Sequence, residues 1–255
     1  MTGLAASPSS NPDATALLAE TARLGGYFAM AGQGTDRGAH LSALTVDPAA
    51  VAGFTDRTRS AIAASMGCDP HRIPIRLAAS SFQLNVVSRV ISPVLGAAVC
   101  GGRVPLFTPE SVRWRDTGAH TPQLHTTEVE CAPAPTSTAA AGLIAESLLS
   151  TIVGPLNDTL RSTMSLSSRV SWGNTISAAN GAVTVLAMSR PDLEKLGRAL
   201  VQALLGVGPL RGAGQFTGAG FVRRSCCLFY QAPGAGLCQD CVLTVSDGSL
   251  PTRAR

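Results

Sequence analysis

Residues 75–99 read IRLAASSFQLNVVSRVISPVLGAAV, and the reading of this stretch decides the fold. Its apolar residues Leu77, Phe82, Leu84, Val87, Val90, Ile91, Leu95 and Val99 recur mostly at three- and four-residue steps, the period of one helix face. Pro93 lies inside the pattern and predicts a kink or a split into two helices, because its ring removes a backbone donor and crowds the preceding turn.

Helical signals continue on both sides. Asp13 is placed to cap a helix reaching Met30, and Asp47 before Pro48 repeats the signal for a helix reaching about Met66. A glycine-rich link, Gly32 to Gly38, separates the two, and the Ser- and Pro-rich residues 1–12 read as a disordered leader. Between Arg103 and Glu130 the texture changes to short alternating runs, Val104–Leu106, Val112–Asp116 and Leu124–Glu130, which read as two or three strands. Helical patterns return at Ala140–Ser162, Ser167–Met188 and Asp192–Leu205. From Gly206 to Gly220 glycine recurs often enough to break any helix. The expected fold class is therefore α+β, mainly α-helical: a helical body over residues 13–210 with a small antiparallel β element around 103–130, and an irregular Cys-rich segment over 211–255.

Composition narrows the function. The chain has 255 residues, 45% of them hydrophobic, and a net charge of only +4, too little for phosphate neutralisation along a nucleic acid. The basic excess is local: five arginines against two aspartates follow residue 210. Residues 1–20 lack the basic and apolar regions of a secretory signal, which predicts a cytoplasmic protein. The uncharged run Val170–Ser189 carries several polar groups and reads as a buried helix rather than a membrane span, although peripheral membrane contact is compatible with it.

Seven cysteines divide unevenly. Cys68, Cys100 and Cys131 are isolated, whereas Cys226, Cys227, Cys238 and Cys241 fall within sixteen residues. A C-x-x-C spacing lets two thiolates converge on a metal, and the loop between the pairs holds Pro233, Gly234 and Gly236 to fold back on itself. Free thiols, a Cys₄ zinc site and an iron–sulfur cluster all use such residues. Adjacent cysteines tend to diverge, which makes one small tetrahedral ion awkward to chelate and suits the wider footprint of a two-iron rhomb. A thioredoxin-like role is disfavoured, because Cys238–Cys241 follows a glycine loop and precedes the strand-like Val242–Val245. His40, His71, His120 and His125 are scattered and no hydrolytic motif occurs; His120 and His125, with Glu128 and Glu130 nearby, read as surface polar residues rather than metal ligands.

The pattern Cys-Cys-x10-Cys-x-x-Cys resembles the [2Fe-2S] motif of the FhuF-type ferric-siderophore reductases. The resemblance runs through Arg223-Arg224-Ser225-Cys226-Cys227-Leu228-Phe229-Tyr230 and Gly236-Leu237-Cys238-Gln239-Asp240-Cys241. Two upstream stretches, Ser88–Leu95 and Arg169-Val170-Ser171-Trp172-Gly173-Asn174, also look like members of this family, and the second is similar to an element in the C-terminal domain of IucA/IucC-type siderophore synthetases. The resemblance implies one [2Fe-2S] cluster on Cys226, Cys227, Cys238 and Cys241. It also implies a ferric siderophore as substrate, one-electron reduction to release Fe(II), and an external donor such as a ferredoxin or reductase. Arg223 and Arg224 suit docking of an anionic chelate or of the donor, and Trp172 with Asn174 would line a pocket. A siderophore-binding or iron- and redox-sensing module without turnover, and a structural zinc protein, are the competing readings.

Overall fold

The computed structural model describes residues 12–30, 38–126, 129–218 and 220–244. The leader expected over 1–12 thus lies outside the described residues except for Pro12, as do most of the 32–38 link, Glu128, and everything from Val245 onward. The protein is mainly helical. Its helices are α1 (Pro12–Ala22), α2 (Leu41–Val46), α3 (Pro48–Ser65), α4 (Ile75–Gly101), α5 (Ser137–Ile144), α6 (Gly154–Met164), α7 (Ser168–Ser189) and α8 (Glu194–Leu204).

Helix α4 is the axis of the core. Leu77, Phe82, Val87, Val90, Ile91, Leu95 and Val99 are all buried, while Leu84 is half-buried. Pro93 does not split the helix, which runs unbroken from Ile75 to Gly101. The residue is itself buried, so packing on both sides of it outweighs the one lost backbone bond. Helix α7 lies against α4, and α1, α3, α6 and α8 surround the pair. Inside, Gln83 Nε2 donates to Asn157 Oδ1 (3.0 Å) and to the Ser171 carbonyl (3.1 Å), joining α4, α6 and α7 through a buried amide.

Local signals place several boundaries. Asp47 Oδ1 accepts from the Ala49 N–H at 2.8 Å with Pro48 at the first turn, the cap expected for α3. Helix α1 stops at Ala22, short of Met30, because Gly25 adopts φ 126° in the turn that follows. The stretch expected as one helix over 140–162 spans 137–164, but Ala145–Val153 is wound in wider π-type turns between α5 and α6. These end at Gly154-Pro155, where the proline ring withholds an N–H. By length and composition α4 and the 137–164 helix could each cross a membrane, yet 67% and 44% of their apolar windows are covered by the rest of the fold.

The β structure is more divided than expected. Strands β3 (Val112–Arg115) and β4 (Gln123–Thr126) pair with β1 (Ala39–His40) in the order β1-β3-β4. Strands β2 (Arg103–Leu106) and β5 (Glu130–Pro133) form a separate antiparallel pair, with Val104 opposite Ala132. Phe54 of α3 stacks on Phe82 of α4 at 5.5 Å and meets Trp114 of β3 edge-on at 5.7 Å, fastening the first sheet to the body. His125 is buried on β4 rather than displayed at the surface: Gly38 lies so close that a Cβ there would sit 2.7 Å from the imidazole. His120 is exposed.

A third pair was not foreseen. Beyond α8, β6 (Gly214–Thr217) and β7 (Gly220–Arg223) make a hairpin within the glycine-rich stretch. The strand expected at Val242–Val245 is a 3₁₀ turn over Val242–Thr244, with Val245 outside the described residues.

Candidate metal centre

The site begins with strand periodicity. On β7, Phe221 and Arg223 point inward and Val222 is half-buried, so Arg224, the next residue, is exposed. Adjacent arginines therefore face opposite environments. Arg223 is only 2% exposed, although it is charged. Its guanidinium donates to Asn174 Oδ1 at 2.8 Å and to the Cys238 sulfur at 2.9 Å, while its Nε has no partner among the described residues. Burial works against its charge, but the neighbouring Cys227 and Cys238 sulfurs outweigh burial and raise its pKa above the ordinary value.

Asn174 carries this contact into the core. Its Nδ2 donates to Ser80 Oγ at 2.9 Å, and Ser80 Oγ donates to the Cys227 carbonyl at 2.8 Å. One line of hydrogen bonds thus runs from Arg223 through α7 and α4 to the backbone of a cysteine. Gly173 precedes Asn174 for a steric reason: a Cβ there would lie 2.0 Å from Ser225 Oγ, which donates to the Arg169 carbonyl at 2.8 Å. Removing the Cβ lets the strand leading to Cys226 rest directly on α7.

The second cysteine pair is anchored through Asp240. Its carboxylate accepts from Ser177 Oγ at 2.5 Å and from Asn180 Nδ2 at 3.4 Å, and Arg198 in turn donates to Asn180 Oδ1 at 2.5 Å. Burial pushes the Asp240 pKa up, opposed by the Ser177 bond and by Arg223 and Arg198. The Asp240 carbonyl accepts from the Arg223 N–H at 3.2 Å, tying the hairpin to the C-x-x-C turn. The loop between the pairs docks elsewhere, with Ala232 packed among Ala63, Ile73 and Leu77.

These supports bring two of the thiols together. The Cys227 and Cys238 sulfurs lie 3.8 Å apart; Cys227 and Cys241 are buried, and Cys226 and Cys238 half-buried. Leu228 adopts φ 71°, an uncommon conformation for a residue with a Cβ, and its N–H donates to the Cys226 sulfur at 3.3 Å. Cys227 is pushed down to about 5, first by the bond from Cys238 and then, against burial, by Arg223. Cys238 is pushed the other way by that same bond and by burial. Burial also raises Cys226.

Among the described residues, no three or more His, Cys, Asp or Glu side chains are grouped to hold a single metal ion. The donor set nevertheless fits a larger sulfur-ligated group: four soft thiols come from one segment, with a buried guanidinium, one of its N–H groups unpartnered, against them. Residues 223–243 match the family model of the FhuF 2Fe-2S C-terminal domain. The chain therefore carries an FhuF-type cysteine-rich C-terminal segment on a mainly helical α+β body. No curated protein matches the chain.

The structure separates the residues that the sequence grouped for docking. Arg223 and Asn174 are buried supports of the thiols, and of the two only Arg223 reaches the wall of a cavity, the one at Cys227 and Cys238. Arg224 is exposed and Trp172 half-buried, and both line a cleft beside Ser225. No motif marks Ser80, Ser177, Asn180 or Arg198, and nothing in their local sequence does. Gly173 and Asp240 had a signal, the first inside the Trp172-Gly173-Asn174 element and the second inside the C-x-x-C. A larger cavity, about 400 Å³, opens at Cys227 and Cys238 and is bordered by Tyr27, Leu84, Thr184 and Phe229.

Proposed function

We propose that this protein is a cytoplasmic one-electron reductase of ferric siderophores, carrying one [2Fe-2S] cluster on Cys226, Cys227, Cys238 and Cys241. The observation that carries the reading is the cavity of about 400 Å³ whose wall includes Cys227 and Cys238, within the segment that matches the FhuF 2Fe-2S domain. When bound, such a cluster supplies one-electron redox chemistry. The chain's own residues supply the setting.

Arg223 sets a fixed positive charge, sheltered from water, against two of the sulfurs. That charge favours thiolate over thiol, and it favours the more negative of two redox states, by electrostatics that screening by salt weakens little at a buried site. Asn174 and Ser80 orient the guanidinium and the Cys227 backbone. The buried Cys227 and Cys241 keep solvent from half of the ligand set. A ferric chelate held in the cavity would gain one electron, and its hard oxygen donors bind the resulting Fe(II) less tightly, so the metal leaves.

The test is made on anaerobically purified protein. Iron, sulfide and zinc are quantified, visible and EPR spectra are recorded before and after dithionite, and the reduced protein is mixed with a ferric trihydroxamate or a ferric catecholate in the presence of an Fe(II)-specific chromophore. The expected result is a red-brown protein with about two irons and two sulfides per chain, and about one Fe(II) released per reduced protein. Cys238→Ser abolishes cluster assembly, whereas Cys100→Ser leaves it intact. A colourless, zinc-loaded protein overturns the reading in favour of a structural metal. A reducible cluster that passes no electron to either chelate overturns it in favour of a sensing module.

A further inference from the structure

The cavity at Cys227 and Cys238 is one opening on the cysteine segment. Another, about 230 Å³, lies beside Ser225, next to Cys226, and is bordered by Arg169, Trp172, Pro209, Arg211 and Arg224. Helix α7 borders both. At about 100° per residue, Trp172 lies opposite Gly181 and about 120–140° round from Thr184 and Ser177, and Trp172 and Gly181 are roughly 14 Å apart along the axis. The second opening therefore reaches the cysteine segment from a different direction.

Its chemistry differs as well. The first cavity holds a carboxylate, Asp240, and its one cation, Arg223, is already bonded to Cys238 and Asn174. The second has three exposed arginines and no acid in its wall. None of the three takes part in the ion pairs found among the described residues. Arg211 donates to the Gly206 carbonyl and Arg224 to Gln215 Oε1, neutral partners that leave the charges uncompensated. They come from separate segments, α7, the turn before β6 and the end of β7, and they converge around a half-buried tryptophan. The N-terminal end of α7 at Ser168 also faces this cleft and adds its positive dipole end.

We propose that this arginine cleft docks an acidic electron-carrier protein, which delivers electrons from the Cys226 side while the ferric chelate is served on the Cys227 and Cys238 side. The inference rests on the redox reading above. The cleft is smaller than the chelate cavity, about 230 against 400 Å³, so it suits a protruding carboxylate of a protein partner better than a whole ferric chelate. Exposed arginines of one sign around an aromatic residue are the arrangement that steers an oppositely charged protein and then desolvates against it. The step balances simply: one electron leaves the reduced carrier, one is taken up by the oxidised protein, and no bond is made or broken.

The experiment uses the full, cluster-loaded chain and, as donor, a reduced acidic plant-type [2Fe-2S] ferredoxin, with transfer followed by stopped flow over a range of salt concentrations. For Arg169→Glu/Arg211→Glu the second-order rate falls at least tenfold at low salt, and the decrease of rate with salt seen in the parent protein disappears. Arg169→Gln/Arg211→Gln gives an intermediate loss, and Arg161→Glu, a single charge reversal on α6 equal in net charge to that double neutralisation, leaves the rate within twofold. Reduction by the uncharged 5-deazariboflavin radical stays within twofold in every variant, which shows that the centre itself is intact. The proposal is overturned if ferredoxin does not reduce the parent protein, or if the charge-reversed protein accepts its electron at the parent rate. It is equally overturned if the reversal instead slows transfer from deazaflavin-reduced protein to the ferric chelate, since the cleft would then serve the substrate. Failure of the reductase reading looks different: ferredoxin transfer still depends on the arginines, and no Fe(II) is released from any chelate.

Discussion

From Val86 to Val99 every residue of α4 except Ser88 and Arg89 is buried, whereas from Arg224 to Thr244 only Cys227, Ala232 and Cys241 are. The helical body is held by apolar area, at about 25 cal/mol per Å² removed from water, spread over many side chains. The cysteine segment has much less such area, chiefly Ala232, Leu228 and Phe229, and its cysteines are positioned by a few polar contacts: Arg223 to Asn174, Ser80 to the Cys227 carbonyl, Ser177 to Asp240, and Ser225 to the Arg169 carbonyl. A body built the first way loses stability gradually as side chains are trimmed. A segment built the second way loses its geometry when one donor is removed, while the body persists.

The largest expected effect sharpens the contrast from the body's side. Phe82→Ala should destabilise the fold by about 3–5 kcal/mol, measured by denaturant unfolding, because it deletes a fully buried ring stacked on Phe54. Iron bound per folded molecule should not change; a parallel loss of iron would erase the distinction between body and segment.

Asn174→Ala comes next. It strips the partner from a buried cation, a loss of about 1.5–3 kcal/mol for a hydrogen bond to a charged group. Here the signature is reversed: the unfolding midpoint moves less than in Phe82→Ala, while iron retention on desalting falls severalfold. Retention equal to the parent protein's would show that the thiols do not need the Arg223 anchor.

The smallest effect is steric. Gly173→Ala places a methyl group against Ser225 Oγ and should cost about 1–3 kcal/mol by overpacking. Ser225→Ala removes the obstructing oxygen, so in the double variant the two changes should cost less than their sum. Strict additivity would mean that the segment does not bear on α7 at this point.

The same contrast governs what can be read from sequence. The body announces itself, because apolar periodicity and caps are local: the α4 pattern and the Asp47-Pro48 start of α3 both stand in the structure. The cysteines are legible too, since metal-ligand spacing is local. What surrounds them is not. Ser80 lies 147 positions from Cys227 and Ser177 lies 63 from Asp240, and no property of a lone serine marks such a partner. The division of labour between Arg223 and Arg224 was hidden by one missed element. Glycines at 206–220 read as breakage, the β6–β7 hairpin went unseen, and with it the alternation that turns one arginine inward and the other out. Pro93 misled in the opposite sense, because a local penalty was outweighed by tertiary packing.

The long separation between Ser80 and Cys227 has a consequence during protein synthesis. The ribosome completes α4 and α7, with Ser80, Asn174 and Ser177 on them, before it makes any of the four clustered cysteines. Domains collapse roughly in the order in which they emerge, so the receptacle is already shaped when the thiols arrive. Under the cluster reading proposed above, iron and sulfide would then meet cysteines that are made last, against helices already synthesised.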